Sequence, residues 1–381
     1  MSARFITSLT LGTVLTVGAL ASGEALLRRH DWRYYRGAPH RVMWSLQRDR
    51  EMARADDPYQ FHAHQLWAPR PGARLVWTES ERFNADGYRG PLLPVERPPR
   101  TLRLVALGGA AALGVGVANE DTFAALTARF VSARSIPCES MNLGVENFSL
   151  RQSLERYRDL ARPYRPHIVV AAVSARTSYS PAPGGITDDE LIEATRPLDR
   201  VHLAHPPSVK DGLRLVQGFH WLRDALGGPY WEDRDFQFHL RRLEPSSRSL
   251  DWPGIRRVPM NDFYGSLSLL LQETRQDGAH LVLLVLPTPA TERVPPIQRA
   301  YDRAALDFGE REQLLVLDER NPHILGLNTD LVSTDVYGAD RYPTACGHEA
   351  IATALSEIIV RGISAKNAQL ENRRESAPKD R

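Results

Sequence analysis

The sequence has little cysteine and almost no excess of one charge. Two cysteines among 381 residues are too few for a disulfide framework or a four-cysteine zinc site. Lys and Arg number 48 and Asp and Glu 46, so the formal net charge is only +2, and this gives no electrostatic reason to expect a nucleic-acid partner. Proline and glycine are near their average frequencies, with 27 and 26 residues, which excludes collagen-like and wholly disordered chains. The length predicts one large domain with attachments, or two domains.

A long uncharged stretch lies near the N-terminus, from Phe5 to Gly23. As a helix it would be about 28 Å long, close to the hydrocarbon thickness of a bilayer. Two interpretations are open: an uncleaved membrane anchor, or a secretory signal peptide with a small-residue site at Ala19-Leu20-Ala21. We therefore predict that residues 1–30 form a transmembrane helix or signal segment. The main domain would then lie on the extracytoplasmic, periplasmic side.

After residue 100, apolar strands alternate with amphipathic helices. The predicted strands are Leu102–Leu107, Ser140–Leu143, His167–Val173, Ala279–Leu286 and Leu314–Leu317. Apolar strands separated by helices indicate a parallel sheet covered on both faces, here a three-layer doubly wound α/β sandwich with five strands. We predict this domain over 101–363, with an insertion at 178–259. A connector and entry segment over 31–100 would precede it, and a disordered tail over 364–381 would follow.

Five short motifs occur in a characteristic order. They are Asn84-Ala85-Asp86-Gly87-Tyr88-Arg89-Gly90, Gly108-Gly109-Ala110 with Gly114-Val115-Gly116-Val117, Met141-Asn142-Leu143-Gly144, Arg165-Pro166-His167, and Ala339-Asp340-Arg341-Tyr342-Pro343-Thr344-Ala345-Cys346-Gly347-His348. In this order they resemble the SGNH (GDSL-type) hydrolases, in their membrane-anchored bacterial branch. The resemblance runs from about Asn84 to Ile363 with the insertion unmatched, and it implies an SGNH/flavodoxin-like fold.

The resemblance also implies which residues stand at the family's catalytic positions. The family uses a serine nucleophile, a histidine base with an aspartate three residues before it, and a glycine and an asparagine that stabilise the oxyanion. The matching positions here are Gly109 before the nucleophile, Ala110 for the nucleophile, Gly144 for the glycine, Arg176 for the asparagine, Ala339 for the aspartate with Asp340 one residue later, and Tyr342 for the histidine.

These departures predict that the family's reaction is lost. Alanine has no nucleophile, and tyrosine, with a pKa of about 10, is a poor general base at neutral pH. A rewired pair that uses Ser174 or Ser178 with His348 is an alternative. We predict a non-catalytic, membrane-anchored binding or assembly module. The alternatives are an esterase or acyltransferase on cell-envelope glycans or lipids, and an accessory subunit of a membrane protein complex.

The old catalytic pocket could survive as a ligand site formed by Ala110, Gly144, Arg176 and Tyr342. Backbone N–H groups beside a fixed guanidinium could hold a carboxylate, sulfate or phosphate, for example on an anionic glycan. The alternative is that Arg176 pairs with Asp340 or Asp86 and fills the cleft.

We predict no metal and no cofactor, because the pair His62 and His64 has no third ligand at a telling spacing. Cys138 and Cys346 are predicted to lie at opposite edges of the sheet, and therefore to be free thiols.

Overall fold

The computed structural model describes residues 3–29, 58–75, 77, 78, 80–173, 175–180, 182, 187–193, 196, 215, 222, 249–286, 294–318 and 342–375. In chain order its principal elements are α1 (Ala3–Arg29), β1 (Tyr59–His62), β2 (Leu66–Pro69), β3 (Leu102–Gly108), α2 (Ala110–Leu113), α3 (Phe123–Ser132), β4 (Cys138–Asn142), α4 (Leu150–Arg156), β5 (Ile168–Val173), α5 (Ala175–Tyr179), α6 (Met260–Gln276), β6 (His280–Val285), α7 (Pro296–Arg311), β7 (Leu315–Asp318) and α8 (Ala345–Glu375).

The central feature is a five-stranded sheet in the order β4-β3-β5-β6-β7. Every neighbouring pair is parallel, which confirms the predicted five-stranded parallel sheet. The five predicted strands match the observed ones within two residues at each end. The strand order reverses beside β3, because the chain goes first to β4 on one side and then to β5 on the other. A doubly wound sheet has its ligand crevice at such a switch point, outside the carboxyl ends of the strands.

Each face of the sheet buries its own hydrophobic core. In β3, Val105 and Leu107 belong to the core that includes residues of α4, α6 and α7, whereas Leu104 and Ala106 belong to the core that includes residues of α3 and α8. Alternate residues of a strand point to opposite faces, so a sheet buried on both sides must be apolar throughout. This arrangement confirms the three-layer α/β sandwich.

The segment from residue 58 onward packs onto this domain, although a connector was predicted there. Strands β1 and β2 form an antiparallel hairpin, and Tyr59, Trp67 and Phe83 lie in a third hydrophobic cluster together with Leu113 and Val145. That cluster also contains Leu191 and Ile192 of the insertion. The folded domain therefore begins well before residue 101, because aromatic residues of the entry segment contribute to its core.

The buried side chain of Arg156 ties this segment to the sheet. Its guanidinium donates to the carbonyl oxygens of Gly87 at 2.6 Å and Leu143 at 3.0 Å, and to Oε1 of Gln65 at 3.2 Å. Burial lowers the pKa of Arg156 to about 10. One side chain thus joins the hairpin loop, the entry segment and the end of β4.

The insertion leaves and re-enters the domain through two segments that run side by side. The N–H of Ala182 donates to Ile255 at 2.7 Å, and that of Arg257 donates to Ser180 at 2.8 Å. Arg257 also forms a buried ion pair with Asp188 at 2.8 Å. Both ends of the insertion are therefore fixed against the body of the domain.

The N-terminal helix is present as α1. Within the described part of the chain, however, we find no helix whose length and apolar character would let it cross a membrane, so the transmembrane part of the predicted fold is not confirmed. The last two turns of α1 carry Glu24, Arg28 and Arg29, with a 2.6 Å ion pair between Glu24 and Arg28. The side chain of Glu24 also accepts from the N–H of Leu215 at 2.9 Å.

Helix α8 continues past residue 364 to Glu375, through alanine, lysine, glutamine and leucine, which have high helix propensity. Disorder of the tail over 364–381 stays a prediction. Helix α3 begins at Phe123, and the Thr122 hydroxyl caps it by accepting from the N–H of Ala125. The prediction of two free thiols is confirmed for Cys138 and Cys346.

Candidate functional site

The candidate site lies where β3 ends. Gly108 has a φ of +143°, and a Cβ at this position would lie 2.8 Å from the carbonyl oxygen of Ala172 on β5. Only glycine allows this conformation and this close approach without strain. The chain can therefore turn sharply at the switch point and enter α2 directly.

Ala110 is the first residue of α2 and follows Gly109, the N-cap. It is placed directly after the carboxyl end of β3, where chemistry is expected in this architecture. Its side chain is a methyl group, and the residue is only 8% exposed. At this position the chain therefore offers neither an ionisable group nor a nucleophile.

Gly144 packs against α2, and its backbone donor is already used. A Cβ at Gly144 would overlap the backbone nitrogen of Leu113 and lie 2.6 Å from the carbonyl carbon of Ala112. Its N–H donates to Oδ1 of Asn142 at 3.0 Å, and Nδ2 of Asn142 donates to the carbonyl oxygen of Leu113 at 3.3 Å. For Gly144 to bind a ligand as predicted, its hydrogen bond to Asn142 would have to break.

Arg176 and Tyr342 lie on separate segments. Arg176 is on α5, directly after β5, and its side chain is exposed, whereas Tyr342 is half-buried shortly before α8. The carboxylate of Asp86 accepts from the hydroxyl of Tyr164, and among the described residues no ion pair joins Asp86 to Arg176. The predicted positions Ala339 and Asp340, together with Ser174, lie outside the described residues.

His348 is buried near the start of α8, and its ring caps another helix. Nδ1 accepts from the N–H of Phe123, the first residue of α3, at 3.1 Å. The first N–H groups of a helix have no partner inside that helix, so this bond satisfies one of them. The imidazole also stacks on the Phe123 ring, with centroids 5.8 Å apart.

Burial, with the nearby charge of Arg89, lowers the pKa of His348 to about 3. A neutral imidazole has a single accepting nitrogen, and Phe123 occupies it. His348 therefore has no free accepting nitrogen with which to act as the base in the alternative pair with Ser174 or Ser178.

Sequence reasoning missed the role of Arg89, although the entry motif contains it. Its buried side chain donates to the carbonyl oxygens of Leu113 at 2.8 Å, Gly114 at 2.6 Å and Val117, and it forms an ion pair with Glu81 at 2.5 Å. Its backbone N–H donates to Asn142 at 3.1 Å. Arg89 thus fixes the end of α2 and the turn after it.

No group of three or more His, Cys, Asp or Glu that could hold a metal ion occurs among the residues the structure describes.

Comparisons with known proteins find similar solved structures among lipolytic enzymes. A lipolytic protein of the G-D-S-L family from Desulfitobacterium hafniense has 13% identity and a TM-score of 0.38, with 67% of this chain and 98% of that chain covered. A lipase/acylhydrolase from Enterococcus faecalis has 13% identity and a TM-score of 0.41, with 68% and 95% covered. The esterase EstA from a Pseudoalteromonas species has 12% identity and a TM-score of 0.39, with 69% and 98% covered.

No protein-family model matches the chain, and no curated protein matches it.

The Gly144 contact predicts opposite effects for two glycine-to-alanine substitutions. Gly144→Ala should lower the free energy of unfolding by roughly 1–3 kcal/mol, because the new methyl group must displace the backbone of α2. The matched control is Gly265→Ala on α6, where a Cβ meets nothing within 4 Å. This control should raise stability by up to about 1 kcal/mol. Urea unfolding of both variants checks the signs, and equal effects would contradict the packing described here.

The His348 environment predicts a specific loss of stability in acid. The folded-state pKa of about 3 lies below the ordinary histidine value of 6.5, so below pH 6.5 the unfolded chain takes up a proton that the folded chain does not. The contribution of His348 to the free energy of unfolding should therefore fall as pH drops from about 6.5 to about 3, by up to about 1.4 kcal/mol per pH unit.

The variant His348→Asn should lose this part of the pH dependence, so its unfolding free energy should converge with that of the native protein as pH falls from 7 to 5. If the unfolding free energies of His348→Asn and the native protein stayed equally far apart from pH 7 to pH 5, this part of the pH dependence would not come from His348.

Proposed function

We propose that this protein is a non-catalytic relative of the SGNH hydrolases, whose crevice at the switch point of the sheet binds a ligand without cleaving it. The observation that carries the proposal is the methyl group of Ala110 at the start of α2. The elements around it are those of a functional strand end: a glycine turn, a short helix and a neighbouring glycine loop. The group that would attack an ester carbonyl is missing.

The hydrogen bonds around the crevice support the same proposal. An acyl-transfer site needs free N–H donors aimed at the position where an oxyanion develops. Here the N–H of Gly144 is used by Asn142, and the accepting nitrogen of His348 is used by Phe123. These two polar groups are therefore engaged within the fold.

An anionic ligand, such as a carboxylate-bearing or sulfated glycan, is the class we propose for the crevice. The exposed guanidinium of Arg176 follows β5 at the carboxyl edge of the sheet, and guanidinium groups bind carboxylate, sulfate and phosphate with paired hydrogen bonds. Ala110 and Tyr342 would provide the apolar and aromatic contacts. Membrane attachment, a protein partner and a periplasmic location stay predictions.

Reaction with a fluorophosphonate probe and turnover of short-chain nitrophenyl esters test the absence of catalysis. The native protein should show neither. A variant with Gly109→Asp, Ala110→Ser, Arg176→Asn, Ala339→Asp and Tyr342→His should gain probe labelling. A matched variant with the same changes but Ala110 retained should not gain it. Labelling of any serine in the native protein would overturn the proposal and favour an esterase or acyltransferase.

Titration with a sulfated and a uronic-acid oligosaccharide tests the ligand class. Arg176→Gln should weaken binding roughly tenfold to a hundredfold, because hydrogen bonds to charged groups contribute about 1.5–3 kcal/mol. Arg361→Gln, at a side chain of α8 that is 82% exposed, is the control and should bind like the native protein. Equal affinities for the Arg176 variant and the native protein, or no binding to either oligosaccharide, would contradict an anion site in this crevice.

A further inference from the structure

Four buried side-chain N–H groups have no acceptor in the part of the chain that the structure describes. One is Nε of Arg196, and the other three, which lie near one another, are Nε1 of Trp77, Nε of Arg89 and Nε2 of His348. A buried donor without a partner destabilises the folded state, and most such groups in folded proteins are satisfied by protein or ordered water. The proton of the His348 ring is assigned to Nε2, because a neutral ring that accepts a hydrogen bond at Nδ1 carries its proton on the other nitrogen.

All three groups flank the turn that joins α2 to α3, residues 114–122. Arg89 holds the first residue of this turn through the bond from Nη1 to the carbonyl oxygen of Gly114. The Trp77 ring lies under the guanidinium, with its centroid 5.7 Å from Cζ of Arg89. His348 contacts Phe123, the residue directly after the turn. The donors thus belong to one region, although they come from three distant parts of the sequence.

The charges of this region favour a neutral acceptor over an anion. The positive charge of Arg89 is paired with Glu81 at 2.5 Å, and Glu120 is a second carboxylate whose charge acts on Arg89. An added anion would face two carboxylates and one guanidinium. Water accepts a hydrogen bond without adding charge, and it can donate to carbonyl oxygens of the turn, each of which has two lone pairs.

We propose that internal water molecules bind these N–H groups and form a permanent hydration site at the turn between α2 and α3. The site would join the entry segment, the end of α2 and the first turn of α8 at a place where direct protein hydrogen bonds do not complete the network. This inference is independent of the proposed function, because it concerns the support of the crevice and not its ligand.

A crystal structure of the full chain, grown in a bromide-containing buffer, tests the site directly. The expected result is water density within about 2.7–3.2 Å of at least two of the three nitrogen atoms. An anomalous bromide peak at these atoms would overturn the choice of a neutral occupant. The absence of density at two or more of them would overturn the site itself.

Water-selective NOE spectra of the native protein give a second test in solution. The side-chain N–H protons of Trp77, Arg89 and His348 should show cross-peaks to long-lived water. Nε1 of Trp67 serves as an internal control, since it donates to the carbonyl oxygen of Glu146 at 3.3 Å, and its proton should show none. The proposal would be overturned if none of the three side chains showed a water cross-peak. It would also be overturned if the Trp67 cross-peak were as strong as theirs.

Discussion

The short helix α2 is held between the backbone of Gly144 on one side and the guanidinium of Arg89 on the other, and this constraint sets the shape of the crevice. The absence of a side chain at Gly144 lets α2 approach the loop after β4. Arg89 donates hydrogen bonds to the carbonyl groups at the end of α2. The last carbonyl groups of a helix have no donor within the helix itself. Asn142 joins both sides, since it contacts Gly144, Leu113 and the backbone of Arg89.

The same constraint engages two polar groups near the crevice. A strand end in a doubly wound sheet is a place where backbone donors and catalytic side chains can converge. Here the N–H of Gly144 donates to Asn142, and Nδ1 of His348 accepts from the N–H of Phe123. Burial keeps His348 neutral, and Ala110 contributes only a methyl group. These observations support the proposal of a crevice that binds a ligand without cleaving it.

Much of the fold could be predicted from the sequence, because strands buried on both faces must be apolar throughout their length. Ile168–Val173 shows that pattern throughout, and Leu102–Gly108 shows it from Leu104 onward. The entry segment was harder: its core residues Tyr59, Trp67 and Phe83 are scattered among turns and have no regular period. The roles of Arg89 and Arg156 could not be predicted, because the sequence does not distinguish a buried arginine from an exposed one. Their backbone carbonyl partners depend on the fold and not on the residue type. For the site, the order of the motifs predicted that Ala110 and Gly144 belong to one pocket. The hydrogen bond from Gly144 to Asn142 could not be predicted, because it depends on the folded geometry.

The most direct measurement is the state of the Gly144 amide in the presence of an oxyanion mimic. In NMR spectra of the labelled protein titrated with an alkyl nitrophenyl phosphonate, which expels nitrophenolate when a nucleophile attacks phosphorus, we predict a Gly144 N–H that is protected from exchange and does not shift, because Asn142 already accepts its hydrogen bond. A large downfield shift of that amide together with a covalent phosphonate adduct would show a working oxyanion site and a nucleophile. Such a result would contradict the central claim that the crevice binds without catalysis.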